Sequence, residues 1–221
     1  MMFAGWERLS LTDYPEKIAT TLFTSGCNFD CAYCHNAVLK QKIDSKYTEN
    51  EVFDFLEKRK TMLDALVITG GEPTLYNEEL LDFSVRFKRR FPGKLLKIDS
   101  NGSNPELLQK LAKSADFCAV DLKSDDYSLF SETSIETIKK SLSILNNFSN
   151  HEVRITCYPP YVNDENIKSM LSMVKSKGVR KVAIQQYNPI NDKQQQYPVS
   201  KLERYARYFE EAGIMTVIRG V

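Results

Sequence analysis

The chain has no apolar run approaching the roughly 20 residues that a membrane span needs. Its first residues lack the charged-then-apolar pattern of a secretory leader. These two absences predict a cytoplasmic protein with reduced thiols. An excess of one charge is lacking as well, since the net charge is +1 over 221 residues. No global field therefore argues for nucleic acid or an acidic membrane. The one basic stretch, Arg86, Lys88, Arg89, Arg90, Lys94 and Lys97, reads as a solvated helix face and the turn after it. Repeats, low-complexity tracts and long linkers are missing too. Residues 1–221 are therefore read as a single domain, large enough for a substantial core.

Cysteine is scarce, and its distribution is uneven. An odd total of five, three of them clustered, fits metal binding better than disulfides. Cys27, Cys31 and Cys34 lie in the run Cys-Asn-Phe-Asp-Cys-Ala-Tyr-Cys. Thiolates this close can converge on one soft metal centre. A fourth is missing, because Cys118 and Cys157 lie far along the chain in apolar runs. A four-iron cluster normally takes four cysteines. Three would leave one iron without a protein ligand, open to a substrate or cofactor. The alternatives are a set of buried thiols or a zinc knuckle, for which His35 is the only nearby fourth ligand.

Strands and amphipathic helices alternate along the chain. Ile18 to Thr24, Ala65 to Thr69, Leu95 to Asp99, Phe117 to Asp121, Val153 to Tyr158 and Val182 to Gln186 read as strands, with Ile214 to Ile218 a terminal addition. Thr48-Glu49-Asn50-Glu51 is a capping-box pattern that opens a helix. Further helices are expected over Glu78 to Arg90, from Pro105 through Leu111, around Ile135 to Leu145, around Ile167 to Val174 and over Leu202 to Phe209. About six βα units imply a parallel sheet, and a closed eight-unit barrel usually needs about 250 residues. The expected fold is α/β, a partial, laterally open (β/α)6 barrel.

Polar residues recur where these strands end. The cysteine loop, Gly70-Gly71-Glu72, Asp99-Ser100, Asp121 with Lys123, Arg154 and Gln185-Gln186 each follow or close a predicted strand. In a parallel barrel such positions share one rim. Paired glycines let a ligand approach bare backbone.

The C-x3-C-x2-C loop with Tyr33, and Gly70-Gly71-Glu72-Pro73 after a strand, resemble the signatures of the radical S-adenosylmethionine (SAM) superfamily. Leu9 to Tyr14, Leu22 to Asn36 with its Cys-His-Asn end, Val67 to Leu75, Ile98 to Gly102 and Asp121-Leu122-Lys123 narrow the likeness to the glycyl-radical-enzyme activases. Within these the chain most resembles activating proteins of anaerobic ribonucleoside-triphosphate reductase. The resemblance implies a [4Fe–4S] cluster on Cys27, Cys31 and Cys34. It implies Tyr33 beside the SAM adenine and Gly70, Gly71 and Glu72 at its amino group. Asp99, Ser100, Asp121 and Lys123 would lie near its carboxylate, where some relatives hold a monovalent cation. Arg154 and Gln186 join this set by position, and Arg154 matches a carboxylate in shape. Asp13 matches an acidic position near the substrate peptide, although the Asp-Gly-Pro-Gly turn found there is Asp13-Tyr14-Pro15-Glu16 here. Asp125-Asp126 and Gln194-Gln195-Gln196 match nothing, and the likeness is weakest from Asp125 to Thr133 and from Asn188 to Pro198.

The implied activity is reductive cleavage of SAM to a 5′-deoxyadenosyl radical, which takes hydrogen from a glycine of a partner glycyl-radical enzyme. Flavodoxin or ferredoxin would supply the electron. A radical SAM enzyme acting on a small molecule or RNA would share the same residues. A non-enzymatic iron–sulfur electron-transfer module would leave the glycine loop and the polar strand ends idle.

Overall fold

The computed structural model describes residues 1–189 and 194–221, so part of the Asn188 to Pro198 stretch, where the likeness is weakest, lies outside the described residues. In chain order the elements are β1 (Met2–Phe3), β2 (Gly5–Ser10), β3 (Ala19–Thr24), β4 (Tyr47–Thr48), α1 (Glu49–Lys58), β5 (Ala65–Gly70) and α2 (Asn77–Arg90). There follow β6 (Leu95–Ser100), α3 (Pro105–Leu111), β7 (Phe117–Asp121), α4 (Ile135–Ile144), β8 (Asn150–Cys157) and α5 (Ile167–Ser176). The chain closes with β9 (Lys181–Gln186), α6 (Val199–Glu211) and β10 (Met215–Arg219). Eight strands form one sheet in the order β10-β9-β8-β7-β6-β5-β3-β2, which has two ends and does not close. β2 runs antiparallel to β3, whereas β3, β5 and β6 pair in parallel, as do β8, β9 and β10. The two-residue strands β1 and β4 pair separately. Among the described residues, no helix is long and apolar enough to cross a membrane.

The described residues fall into two compact units that interleave in sequence. The first holds Met1–Asn28, Asn36–Ser100 and Glu106–Cys118. Its helix α1 starts where the capping box predicts. The Glu51 N–H donates to Thr48 Oγ1 at 3.3 Å, and the Thr48 N–H donates to Glu51 Oε2 at 2.7 Å. Val52, Phe53 and Leu56 face inward at helical spacing. Strand alternation sorts the sheet's two faces. The register sets Leu22, Ile68 and Ile98 side by side, all fully buried. The opposite face carries Thr21, Val67 and Lys97 in one row.

The second unit holds Phe29–His35, Asn101–Pro105 and Ala119–Val221. Its strands repeat the pattern. Ile155, Ile184 and Ile218 form one row. Arg154, Ala183 and Val217 lie on the other face. Glu152, also on that face and fully buried, accepts both guanidinium arms of Arg219 at 2.8 and 2.9 Å. A buried carboxylate needs such a partner. The pairing ties the last strand to β8 across 67 residues of sequence.

Candidate functional site

In the first unit, three loops converge at the C-terminal ends of β3 and β5. The Gly71 N–H donates to Thr24 O at 2.9 Å and the Glu72 N–H to Gly26 O at 2.8 Å. The Cys27 N–H donates to Lys40 O, also at 2.9 Å. The glycine loop is thus laced to the start of the cysteine loop. Gly70 has φ of +124°, in the left-handed region where side chains are strained. A Cβ on Gly71 would run into Gly26 O and come within 2.7 Å of Leu39 O. The sequence suggests that the paired glycines leave room for a ligand. The structure shows that at Gly71 the protein's own backbone takes up that room.

Glu72 explains the loop's rigidity. Only 1% of it is exposed. Its Oε1 accepts from the Thr74 N–H at 3.0 Å, from Thr74 Oγ1 at 2.5 Å and from Ser100 Oγ at 2.9 Å. Glu72 therefore braces the loop from inside, and the Ser100 hydroxyl proton is committed to it. One row below the strand ends, Lys97 Nζ pairs with Asp99 Oδ1 at 3.0 Å and donates to the backbone oxygen of Asp13 at 2.6 Å. Asp13 accepts from Thr21 Oγ1 at 2.6 Å. It therefore stands level with Thr21, three residues short of the end of β3. The basic stretch read as solvated includes Lys97, which is 3% exposed, so that reading is corrected here. Its strand position and a buried carboxylate neighbour draw it inward.

In the second unit, Asp121 is held between two cations. Arg154 Nε donates to its Oδ1 at 2.7 Å, and Lys123 Nζ to its Oδ2 at 3.0 Å. Burial alone would raise the Asp121 carboxyl, but Arg154 and Lys123 pull it down to about 2. Burial alone would lower Lys123, yet Asp121, Tyr33 and Cys31 hold it well above the ordinary lysine value. The triad is a closed unit with one positive charge left over, suited to an anionic group. Lys123 Nζ lies 5.7 Å from the centre of the Tyr33 ring, within cation–π range.

Tyr33 belongs to a set of packed rings that sequence reading missed. It touches Tyr158 and Tyr161 with centroids 5.2 and 5.6 Å apart, and Phe130 meets Tyr161 at 4.8 Å. Phe29 packs on Tyr127 and Phe130. Backbone ties join in: the Asp30 N–H donates to Phe130 O at 2.8 Å, and the Ala32 N–H to Tyr161 Oη at 3.2 Å. Each ring pair contributes on the order of 1 kcal/mol beyond its burial. These contacts fix residues 29 to 33 and bury Cys31 to 5% exposure. The signal available in the sequence was Tyr158-Pro159-Pro160-Tyr161 after a strand, which reads only as a strand stop.

Gln186 does not join this group. The register pairs it with Cys157, on the face opposite to Arg154, and its Nε2 donates to Tyr197 O at 2.9 Å. Gln185, opposite Thr156, occupies the polar face instead. The carboxylates that the resemblance sets near a monovalent cation each face lysine, Asp99 with Lys97 and Asp121 with Lys123.

Among the described residues, no three His, Cys, Asp or Glu side chains are gathered closely enough to hold a single ion. A four-iron cube makes a different demand, with one thiolate on each iron corner, so its sulfurs stand farther apart than those around one ion. All five cysteines are free thiols, and Cys27, Cys31 and Cys34 share one eight-residue run. That donor set fits a cube with one open iron.

An open, mostly parallel sheet with three thiols after one strand and a braced glycine loop after the next defines a radical SAM domain. The Radical SAM superfamily model matches residues 21–176. Over 203 residues, 85% of this chain and 80% of the relative, the sequence is 34% identical to a candidate glycyl-radical enzyme activating enzyme of Methanocaldococcus jannaschii. It is 26% identical to the pyruvate formate-lyase-activating enzyme of Clostridium pasteurianum, covering 83% of this chain and 81% of that one. The fold matches Streptococcus suis SuiB bound to S-adenosylmethionine with a TM-score of 0.69 at 15% identity, over 89% of this chain and 49% of that one. The chain belongs to the radical SAM superfamily and, within it, to the glycyl-radical-enzyme activating group. Enzymes of this superfamily use a [4Fe–4S] cluster and SAM, and the activating enzymes among them are oxidoreductases.

The lacing of Gly71 yields a first expected outcome. Gly71→Ala forces two backbone carbonyls apart, and overpacking of this kind costs about 1–3 kcal/mol or more. Because Gly26 and Leu39 flank the ligand loop, iron loading and SAM affinity should fall together. Iron analysis and calorimetry under anaerobic conditions measure both. A variant with full iron content and unchanged thermal stability would refute the lacing.

Proposed function

We propose that this enzyme activates an anaerobic ribonucleoside-triphosphate reductase, taking a hydrogen atom from one glycine α-carbon of that partner. The observation carrying the activase reading is the likeness to activating enzymes over most of the chain. The reductase as target rests on the Cys34-His35-Asn36 loop end and the Asp13 segment. The proposal takes residues 1–221 as a single radical SAM domain in the cytoplasm, supplied with electrons by flavodoxin or ferredoxin.

Bound together, the cluster and SAM supply a 5′-deoxyadenosyl radical. The chain's own residues hold, orient and shield. Cys27, Cys31 and Cys34 ligate three irons. The Gly70–Glu72 loop, braced by Thr74 and Ser100, offers backbone carbonyls to the SAM amino group. Lys123 and Arg154, oriented by Asp121, face the carboxylate with one surplus positive charge. Tyr33 would lie beside the adenine, where the Tyr158 and Tyr161 rings packed on it would help exclude water. Asp13, held by Thr21 and Lys97, positions the substrate loop.

The test mixes reduced protein, SAM and the candidate reductase without oxygen. A glycine-centred doublet should form in the electron paramagnetic resonance spectrum, with methionine and 5′-deoxyadenosine released. Asp13→Ala should lower the doublet more than it lowers uncoupled SAM cleavage. SAM cleavage without a doublet on any glycyl-radical enzyme of the host would turn the reading to a small-molecule or RNA substrate.

A further inference from the structure

We propose that the strap from Val38 to Lys46 is the docking surface for a small acidic electron-carrier protein that reduces the cluster. The inference rests on the activase reading, in which each turnover consumes one electron from outside. The step is a single electron transfer: the carrier is oxidised by one electron, the cluster is reduced by one, and no atom or proton needs to move.

Three observations place the carrier there. The strap is tied to the ligand loop by its backbone. The Gly26 N–H donates to Leu39 O at 2.9 Å and to Gln41 O at 3.2 Å, and the Cys27 N–H donates to Lys40 O at 2.9 Å. Ser25 Oγ adds a bond to Ile43 O at 3.2 Å. A protein seated on the strap is therefore one hydrogen bond from the backbone of a ligand cysteine.

The strap is also basic, with Lys40, Lys42 and Lys46 against the single carboxylate of Asp44. Lys42 and Lys46 are exposed and make no ion pair among the described residues. Val38, 74% exposed, supplies an apolar contact beside them. Small mixed patches of this kind suit weak electron-transfer encounters.

The third observation is that the chain's larger basic stretch, apart from the exposed Arg89, is already answered from within. Arg86 pairs with Glu49, Lys88 with Asp116 and Arg90 with Asp54. Lys94 donates to the backbone oxygens of Lys60 and Leu63, and Lys97 is buried on Asp99. The charges of Lys42 and Lys46, which make no ion pair among the described residues, thus stand beside the ligand loop, where they can steer an acidic protein.

The experiment compares the cluster-loaded wild type with Lys42→Glu/Lys46→Glu, using purified flavodoxin and ferredoxin as probes under anaerobic conditions. Charge reversal should weaken binding of the carrier at least tenfold at low salt, with the gap closing at high salt. Lys42→Gln/Lys46→Gln should lose an intermediate amount. Iron content, SAM affinity and SAM cleavage driven by dithionite should match wild type, while cleavage driven by the carrier falls about tenfold. Binding of both probes within twofold of wild type overturns the proposal. An equal loss in the control pair Lys113→Glu/Lys140→Glu, two exposed lysines elsewhere, overturns it as well. So does a variant that keeps the carriers but loses the reductase, because the strap would then belong to that partner. The activase reading fails by a separate sign, wild-type SAM cleavage under dithionite with no glycyl radical.

Discussion

Cys31→Ala should load no [4Fe–4S] cluster and cleave no SAM, whereas Cys118→Ala and Cys157→Ala should keep both. The expectation follows from where each thiol stands. Cys31 lies in the three-cysteine loop, and the rings of Phe29, Tyr33 and Tyr161 fix the backbone around it. With two thiolates left, a cube would have two open irons, and no other cysteine is placed to replace the third. Cys118 and Cys157 lie within strands and are fully buried. Burial pushes the Cys157 thiol up to about 12, against a smaller opposing pull from Lys201, so the thiolate that a metal needs is strongly disfavoured there. Removing either buried sulfur leaves a small cavity, with a stability cost of about 1–2 kcal/mol and no effect on iron. Anaerobic reconstitution followed by iron analysis should give about four irons per chain for the wild type and the two distant variants. A cluster retained in Cys31→Ala would remove the basis for the site.

The strands and the loops after them were legible because their signals are local. Apolar runs mark β5, β7 and β9, and cysteines or glycines follow β3 and β5 directly. What escaped depends on residues far apart in sequence. Nothing near Gly71 announces that Leu39 O limits it, since that contact spans 32 residues and needs the strap in place. Lys97 looked like the end of a basic surface because Lys94 and Arg90 precede it. Only the pairing of β5 with β6 sets it in the row of Val67, on the face of Asp99. Glu152, fully buried, is clamped by a partly exposed Arg219, a pairing that neither strand predicts alone. Gln185 and Gln186 are equivalent as letters at a strand end. A shift of one residue reverses which of them faces Arg154, and register is a property of the sheet. β1 and β4, two residues each, are too short for any periodicity to show.

Asp121→Asn should destabilise the second unit by about 3 kcal/mol and weaken SAM binding at least tenfold. The wild-type triad balances one carboxylate against Lys123 and Arg154 at 3.0 and 2.7 Å. An amide in its place leaves two neighbouring cations without an anion. Breaking a buried pair in this way costs about 3–5 kcal/mol, and the partial exposure of Asp121, at 27%, places the expected loss nearer 3. Lys123 suffers most, because Asp121 is the first of the groups that hold its ammonium charged against burial. Losing its anchor frees its Nζ from the Tyr33 ring and spoils the geometry for a carboxylate. The pH dependence has a fixed sign. The Asp121 carboxyl is lowered from the ordinary 3.8 to about 2, so its contribution is fully present above pH 4 and is lost as the pH falls through about 2. The stability gap between wild type and Asp121→Asn should therefore be constant from pH 8 to pH 5 and shrink below about 4. Urea unfolding at several pH values measures the gap. The double variant Asp121→Asn/Arg154→Gln, with one cation fewer, should recover part of the lost stability but not the SAM affinity. A gap that persists undiminished at pH 3, or a double variant less stable than the sum of its parts, would show that the three side chains do not act as one charged unit.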